Sequence, residues 1–412
     1  MNSKKGPRQM MIKRPRIFKA LRVIISVIIF GTIFYFNALY NVPKEHHQNM
    51  NFFTFWLPGH MLLEGENPYS EAQWFSNHVN YGVTWIPNRI FPYPLPLAGF
   101  LIPLAFLPFR EALFVWGFIS QSILAISIYI LLLHWKDSAQ RNLFPLLVIA
   151  FIFFGPVYLT LRTGSIGAFT LGILILSILL IEKEKSLLMG VVLSLLILKP
   201  PQGLPILILS GVWLLARSDW KAILGMVIGG LLLLFIGILI DPLWVPKFIS
   251  AGQAVLDRTL GNQSNVWSYS YLLCHQAQPC TNVLGPLGTL LLLGWGSLFL
   301  WRNHTWLTPW ETFNIIIPIG FVSSVYLWMY DQLPYIIPIT WVAAKLIEKT
   351  KTYIFTFLFL IVLEVLPFFL LAQLATTGKD LWNICITVIV LGTTVWLLFK
   401  QHRQIQSDGP NQ

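Results

Sequence analysis

The segment NFFTFWLPGHMLLEGENPYSEAQWFSNHVNYGVTWIPNRIFPYPLP, residues 51–96, decides how the rest of the chain is read. It is the longest stretch without a membrane-spanning pattern, and almost everything after it is apolar run broken by short polar punctuation. Its aromatic residues are too many and too regularly placed for a passive linker. Phe52, Phe55, Trp56 and Leu63 fall on one helical face after Asn51, which suits a helix lying in the headgroup plane. Gly65-Glu66-Asn67-Pro68-Tyr69 is a turn signature, because Asn-Pro starts turns and Gly permits positive φ. The segment reads as the roof of a polar site built in the bilayer by the helices that follow.

Outward from this segment, composition fixes the solvent. Hydrophobic residues make up 56% of the 412 positions and charged residues 11%, more apolar surface than one soluble core can hide. Apolar segments lie near 17–40, 93–108, 111–135, 143–161, 165–181, 187–198, 203–216, 221–240, 284–301, 312–329, 333–347, 353–373 and 381–399. The net charge is +11, and Lys4, Lys5, Arg8, Lys13, Arg14, Arg16, Lys19 and Arg22 cluster at the first apolar run with no acid among them. Beside an anchor helix such a cluster marks the cytoplasmic side and meets anionic lipid, so it is topology and not a nucleic-acid site. The first run lacks a small-residue cleavage site and reads as a retained anchor.

Placing the basic loops inside (136–142, 182–185, 217–221, 302–304, 345–351 and the end from Lys400) puts Gly164, Pro200, 242–283, Tyr330 and 374–380 outside. Both termini are then cytoplasmic, and an even number of crossings is required. The segment 93–108 is short and carries Pro94, Pro96, Pro103 and Pro108, so it reads as a re-entrant or broken helix. The expectation is an all-α polytopic protein of the cell membrane with about 12 transmembrane helices. Residues 1–16 and 401–412 would be cytoplasmic tails, 17–400 a single domain, and 41–92 and 242–283 its large outward loops.

Candidate chemistry gathers on the outward side. Lys199-Pro200-Pro201-Gln202 joins two short apolar runs, and the prolines leave Lys199 to face a cavity instead of lipid. Asp331 follows Tyr330 at the outer end of a run, and Arg162 lies at comparable depth. An acid and a base at shared depth define a polar cavity. Asn262, Gln263 and Ser264, followed by Trp267, Tyr269 and Tyr271, suit a sugar: amides bond hydroxyls and rings stack on its apolar face. The same three residues also satisfy an ordinary polar turn. Cys274 and Cys280 share the loop CHQAQPC and can close a small disulfide ring if it faces outward. His46, His47, His60 and His78 share the first loop but lack ligand spacing, so no metal or other cofactor is expected. No P-loop, GxGxxG before a strand, or Asp-x-Asp is present, which removes support for soluble nucleotide chemistry.

Five pieces taken in order, FFTFW…GENPY (52–69), FPYPLPLAGFLIPLAFLPF (91–109), LKPPQGLPILI (198–208), GNQSNVWSYSYLL (261–273) and YDQLPYIIP (330–338), resemble glycosyltransferase family 87. These are membrane enzymes related to the polyprenyl-phosphate-mannose-dependent mannosyltransferases. The resemblance implies a type C glycosyltransferase fold and inverting transfer of a hexose, mannose foremost, from a polyprenyl-phosphate donor to a lipid or glycan acceptor on the outer face. It implies that Lys199, then Arg162, contacts the donor phosphate. Gln202, Asn262, Gln263, Ser264 and Tyr330 would line the substrate pocket. The family usually carries Asp where this chain has Asn51, and an amide cannot serve as a carboxylate base. The role then falls to Glu45, Glu64, Glu66 or Asp331, or the chain is a non-catalytic relative or a carrier of lipid-linked saccharides. Asn and Asp are also equally good helix N-caps, so the position has a purely structural reading.

Overall fold

The computed structural model describes residues 51–408 except 84–85, 87, 135–146, 148–149, 152–153 and 351–352. The first apolar run, the basic tail, Glu45, His46 and His47 lie outside the described residues. Among the described residues every regular element is helical.

The first helices are α1 (Asn51–Leu63), α2 (Glu71–Asn80), α3 (Leu95–Ala105) and α4 (Phe109–His134). Next come α5 (Gly155–Thr163), α6 (Gly167–Glu182), α7 (Ser186–Ser194) and α8 (Pro200–Ala216). They are followed by α9 (Trp220–Ile240), α10 (Trp244–Thr259), α11 (Val266–Leu273) and α12 (Gln278–Asn303). The chain closes with α13 (Pro309–Val322), α14 (Ile336–Thr350), α15 (Ile354–Thr377) and α16 (Ile384–Asp408). Short 3-10 turns at Leu195–Leu198, Met329–Tyr335 and Leu381–Asn383 join some of them.

Five helices are long and apolar enough to cross a bilayer: α4, α9, α12, α15 and the apolar part of α16. The bent pair α5–α6 passes the same test as one broken span. At 21 residues, α9 is about 32 Å long, close to the roughly 30 Å hydrocarbon thickness. The other apolar runs become shorter helices. The 11-residue α3 reaches only about 16 Å and stops before Pro108. Runs 187–198 and 203–216 become α7, a 3-10 turn and α8, while 312–329 and 333–347 become α13, a 3-10 turn and α14. Thus the apolar runs that the sequence counts toward twelve crossings include several that length alone does not qualify. The last helix continues to Asp408, past the boundary at 400 expected for the tail.

Amphipathicity explains the layering. Helix α13 is apolar beyond its first turns, and every residue from Trp310 to Val322 is buried, Glu311, Thr312 and Asn314 included; a helix covered on all sides belongs at the centre of a bundle. The 3-10 turn after it and most of α14 are buried as well. By contrast, α9 exposes Leu231, Leu232, Phe235 and Leu239 and buries only Ala222, Gly225, Gly229, Leu233 and Gly237. Its small-residue stripe lies against α7, where Gly190 faces the Ala222 carbonyl and Gly225 faces the Leu187 carbonyl. Lipid offers no hydrophobic drive between helices, so close backbone approach through small residues supplies the packing.

The first-loop helix departs from expectation. Phe52, Phe53, Phe55, Trp56, Leu57, Pro58, Gly59 and Met61 are all buried, so the apolar face of α1 is covered by protein and not by lipid. The run FFTFWL is apolar around the whole circumference, and one apolar stripe on lipid would leave the rest stranded. It packs on α3 and α4, with the Trp56 indole donating to the Leu107 carbonyl at 3.2 Å and Gly59 set against Ala105. The turn after it is pinned from outside. Asp241 accepts from Asn67 at 3.4 Å and from Lys247 at 2.6 Å, tying the loop to the start of α10. Burial pushes the Asp241 carboxyl up, but Lys247, the Leu243 amide and Asn67 together hold it below its ordinary value. The tie is therefore at full strength above the ordinary carboxylate range and weakens as pH falls through the lowered value.

A Cβ at Gly225 would meet the backbone carbonyl of Leu187, which cannot swing aside. Gly225→Ala is expected to separate α7 from α9 and destabilise the fold by about 1–3 kcal/mol. Gly211→Ala, whose added carbon meets nothing within 4 Å, should be neutral. Thermal unfolding in detergent of both variants checks this.

Candidate functional site

The site begins at a proline constraint. Pro200 forbids its predecessor the helical conformation, so Lys199 is extended at φ −130° and caps α8 with its backbone while its side chain leaves the helix. The ammonium donates to Asp331 Oδ1. Asp331 stands in the first turn of the 3-10 segment, where its other oxygen accepts from the Trp328 amide at 3.0 Å. Only 5% of Lys199 and 2% of Asp331 is exposed, so the pair is buried. The Tyr326 and Tyr330 ring centres lie 5.9 and 5.4 Å from the ammonium, and their hydroxyls meet at 3.0 Å.

Around this pair opens a cavity of about 1120 Å³. Asn51, Phe53, Thr54, His78, Asn88 and Tyr93 line it from the first loop, and Thr163 from the end of α5. Lys199 and Leu204 line it from the start of α8, Arg258 from α10, and Asn262 and Trp267 from the loop beyond. Tyr326, Trp328 and Tyr330 form another wall, and Leu374 and Gly378 close it. Every loop region that the charge rule places outside contributes a residue, and none of the described residues of the basic loops does. Among the described residues, none of those lining it is a carboxylate.

The residues singled out in the sequence divide accordingly. Asn51 lines the cavity and donates to Thr163 Oγ1 at 3.3 Å. Asp331 sits behind Lys199, outside the lining. Glu64 pairs with His60 at 3.2 Å and Glu66 accepts from Asn77; neither lines the cavity. Arg162 also falls outside it, donating to the Tyr158 hydroxyl at 2.7 Å on an exposed surface. Asn262 lines it, but Gln263 and Ser264 are buried in its wall. Gln263 accepts from the Leu327 amide at 2.8 Å, and Ser264 accepts from Gln332 at 3.2 Å. Gln202 is buried too, donating to the Tyr326 carbonyl at 3.3 Å.

Two groups escaped the sequence reading, and a third, His78, was weighed there only as a metal ligand. Arg258 lines the cavity and donates to Asn88 Oδ1 at 2.7 Å; among the described residues no carboxylate pairs with it. Its clue was position, a cation one turn before Gly261-Asn262. Asp380, 2% exposed, accepts from the Met329 amide and from Asn383. Its own amide donates to the Asn262 carbonyl at 2.7 Å, locking two cavity walls together. His78 is the third: burial lowers its pKa, partly opposed by its bond to the Trp74 carbonyl.

Gly164 holds the site's geometry where α5 and α6 meet at 117°. Its φ of +65° is left-handed, and a Cβ there would meet Phe52. Its carbonyl accepts from the Trp116 indole at 2.9 Å. On the far side of the loop that follows α11, Cys274 and Cys280 are joined by a disulfide, with Cα atoms 5.6 Å apart.

Fold and site together define an integral-membrane protein that can hold an anionic group beside both apolar and aromatic surface. The model of glycosyltransferase family 87 matches residues 91–324, more than half of the chain, so the chain belongs to that family and is a membrane glycosyltransferase. No curated protein and no solved structure matches it.

Two outcomes are expected. Lys199→Ala strands the Asp331 carboxylate and should destabilise the protein by about 3–5 kcal/mol. Lys199→Met with Asp331→Leu should recover most of that, as thermal unfolding of the single and double variants will report. With three cysteines and one bridge, the denatured, unreduced protein should take up one maleimide at Cys385, and three after reduction.

Proposed function

We propose that this glycosyltransferase has the type C architecture and takes a hexose, mannose foremost, from a polyprenyl-phosphate donor. It delivers the sugar to a hydroxyl of a lipid or glycan acceptor at the outer face of the cell membrane, with both termini cytoplasmic. The observation that carries this reading is the charge of the cavity: Lys199 and Arg258 reach it and, among the described residues, no carboxylate does. Such a surface suits a phosphate. Leu204 and Ile208 of α8 and Ile249 of α10 continue the cavity as exposed apolar surface, which suits a prenyl chain entering from lipid. Trp267, Trp328 and Tyr93 offer faces for a sugar. The volume exceeds the roughly 300–1,000 Å³ of ordinary ligand pockets, as a lipid-linked sugar with its acceptor requires. Convergence of all the loops assigned outside supports the outer-face location.

In an inverting displacement the acceptor oxygen attacks the anomeric carbon as the bond to the phosphate oxygen breaks. An oxocarbenium-like state develops, and negative charge accumulates on the departing phosphate. Donors fixed in place before the reaction stabilise that charge without reorganising. Arg258 has most of its donors open and takes the role expected of Arg162. Lys199, already bonded to Asp331, contributes field from the cavity wall. Asn262 and Tyr330 border the sugar.

Membranes containing the protein are expected to transfer label from polyprenyl-phosphate mannose to extracted lipid acceptors, and not from a nucleotide-linked mannose. Absence of transfer from any polyprenyl-phosphate hexose would favour a non-catalytic relative or a saccharide carrier. Arg258→Ala should lower kcat/KM by about 10²–10³-fold, the effect of losing one preorganised donor, whereas Arg162→Ala should behave like the unaltered protein.

A further inference from the structure

The cavity brings together an electrophile's phosphate site and a hydroxyl acceptor, yet the position expected to hold a carboxylate base is Asn51. Asp331 cannot take its place: both oxygens are committed, one to Lys199 and the other to the Trp328 amide. Asp380 is committed to the Met329 amide and Asn383. Glu64 and Glu66 have partners outside the cavity. Of the lining side chains, Lys199 and Arg258 are cations, and the tyrosine and threonine hydroxyls are weak bases. One imidazole remains.

We propose that His78 is the general base of the transfer, a role that rests on the glycosyltransferase reaction proposed above. His78 lies on the last turn of α2 and lines the same cavity as Asn51, Phe53 and Thr54. Its Nδ1 is 2.8 Å from the Trp74 carbonyl oxygen. A carbonyl only accepts, so Nδ1 carries the proton and Nε2 presents a lone pair. No described residue takes up that lone pair. The ring is held by Trp74 at 4.6 Å and by the edge of Phe53 at 5.3 Å, so its orientation is set before substrate arrives. Burial favours the neutral imidazole, the form that can accept a proton.

The step balances without further reactants. The acceptor hydroxyl oxygen forms the bond to the anomeric carbon, and its proton passes to Nε2 to give an imidazolium. The electron pair of the breaking carbon–oxygen bond leaves with polyprenyl phosphate, whose added negative charge faces Arg258. The imidazolium then gives its proton to solvent. The Trp74 carbonyl stabilises this charged ring as the orienting carboxylate does in a catalytic triad, though more weakly.

The test uses the full chain in lipid nanodiscs, with radiolabelled polyprenyl-phosphate mannose and a lipid extract as acceptor. The unaltered protein should transfer, and His78→Gln should lower kcat by about 10²–10⁴-fold with the donor KM little changed, the range for losing a general base. Glutamine can keep a bond to the Trp74 carbonyl, so folding should persist, which size-exclusion elution reports. Imidazole in the buffer should restore turnover to His78→Gly. Asn51→Asp should restore it to His78→Gln by returning a carboxylate to the cavity. Near-normal turnover by His78→Gln overturns the role of His78 while leaving the transferase reading intact. Loss of turnover that neither imidazole nor Asn51→Asp restores assigns His78 to structure and also overturns it. No transfer by the unaltered protein overturns both readings.

Discussion

The ion pair between Lys199 and Asp331 is the constraint on which the outer half of the molecule depends. Two charges at this burial are tolerated only if each supplies the other's missing solvation, so the segments carrying them must arrive in register. Pro200 breaks the apolar run and frees Lys199; the 3-10 turn after α13 presents Asp331. Once joined, they place Tyr326 and Tyr330 around the ammonium. Thr160 then donates to the Tyr330 carbonyl at 2.8 Å, and Gln263 receives the Leu327 amide, so α5 and the 261–265 turn are drawn onto the same segment.

A second buried acid extends the scheme. Asp380 reaches the Met329 amide from the loop between α15 and α16, while its backbone holds Asn262. A cavity wall made of loops cannot rely on helical hydrogen bonds, and buried amides without partners would be costly. Side-chain acids and amides therefore substitute for the helix ladder. This explains why the wall is rich in Asp, Asn and Gln although the cavity itself is free of acids among the described residues.

That division of labour also explains what was legible beforehand. The all-helical membrane architecture follows from composition, and the placing of Lys199 and Asp331 at like depth on one side follows from the charges between the runs; that the two bind each other did not. Charges between the apolar runs also picked out the loops that meet at the cavity. Helix lengths were less legible, because prolines and Gly164 break runs that look continuous in hydrophobicity alone. Gln263 and Ser264 read as ligand contacts because a polar turn and a polar pocket have the same composition; only their hydrogen-bond partners within the wall separate the two. Arg162 and Arg258 are equally charged in sequence. One turns to Tyr158 at the surface and the other into the cavity, a difference set by the bend at Gly164 and by the lie of α10. Apolar periodicity misled for α1, whose Phe52, Phe55 and Trp56 are covered by protein and not by lipid.

The neutral partner of Arg258 has a consequence for the two forms of the carrier. Under the proposed reaction the donor arrives as a phosphodiester with one negative charge, and the spent carrier departs as a monoester bearing up to two. Among the described residues this guanidinium bonds Asn88 and no carboxylate, so none of them acts as a counter-ion that competes with either. It therefore grips the spent carrier more tightly than the fresh one. Departure of the emptied lipid into the bilayer then works against a stronger attraction than the arrival of the loaded one did, and Arg258 is the residue at which that asymmetry arises.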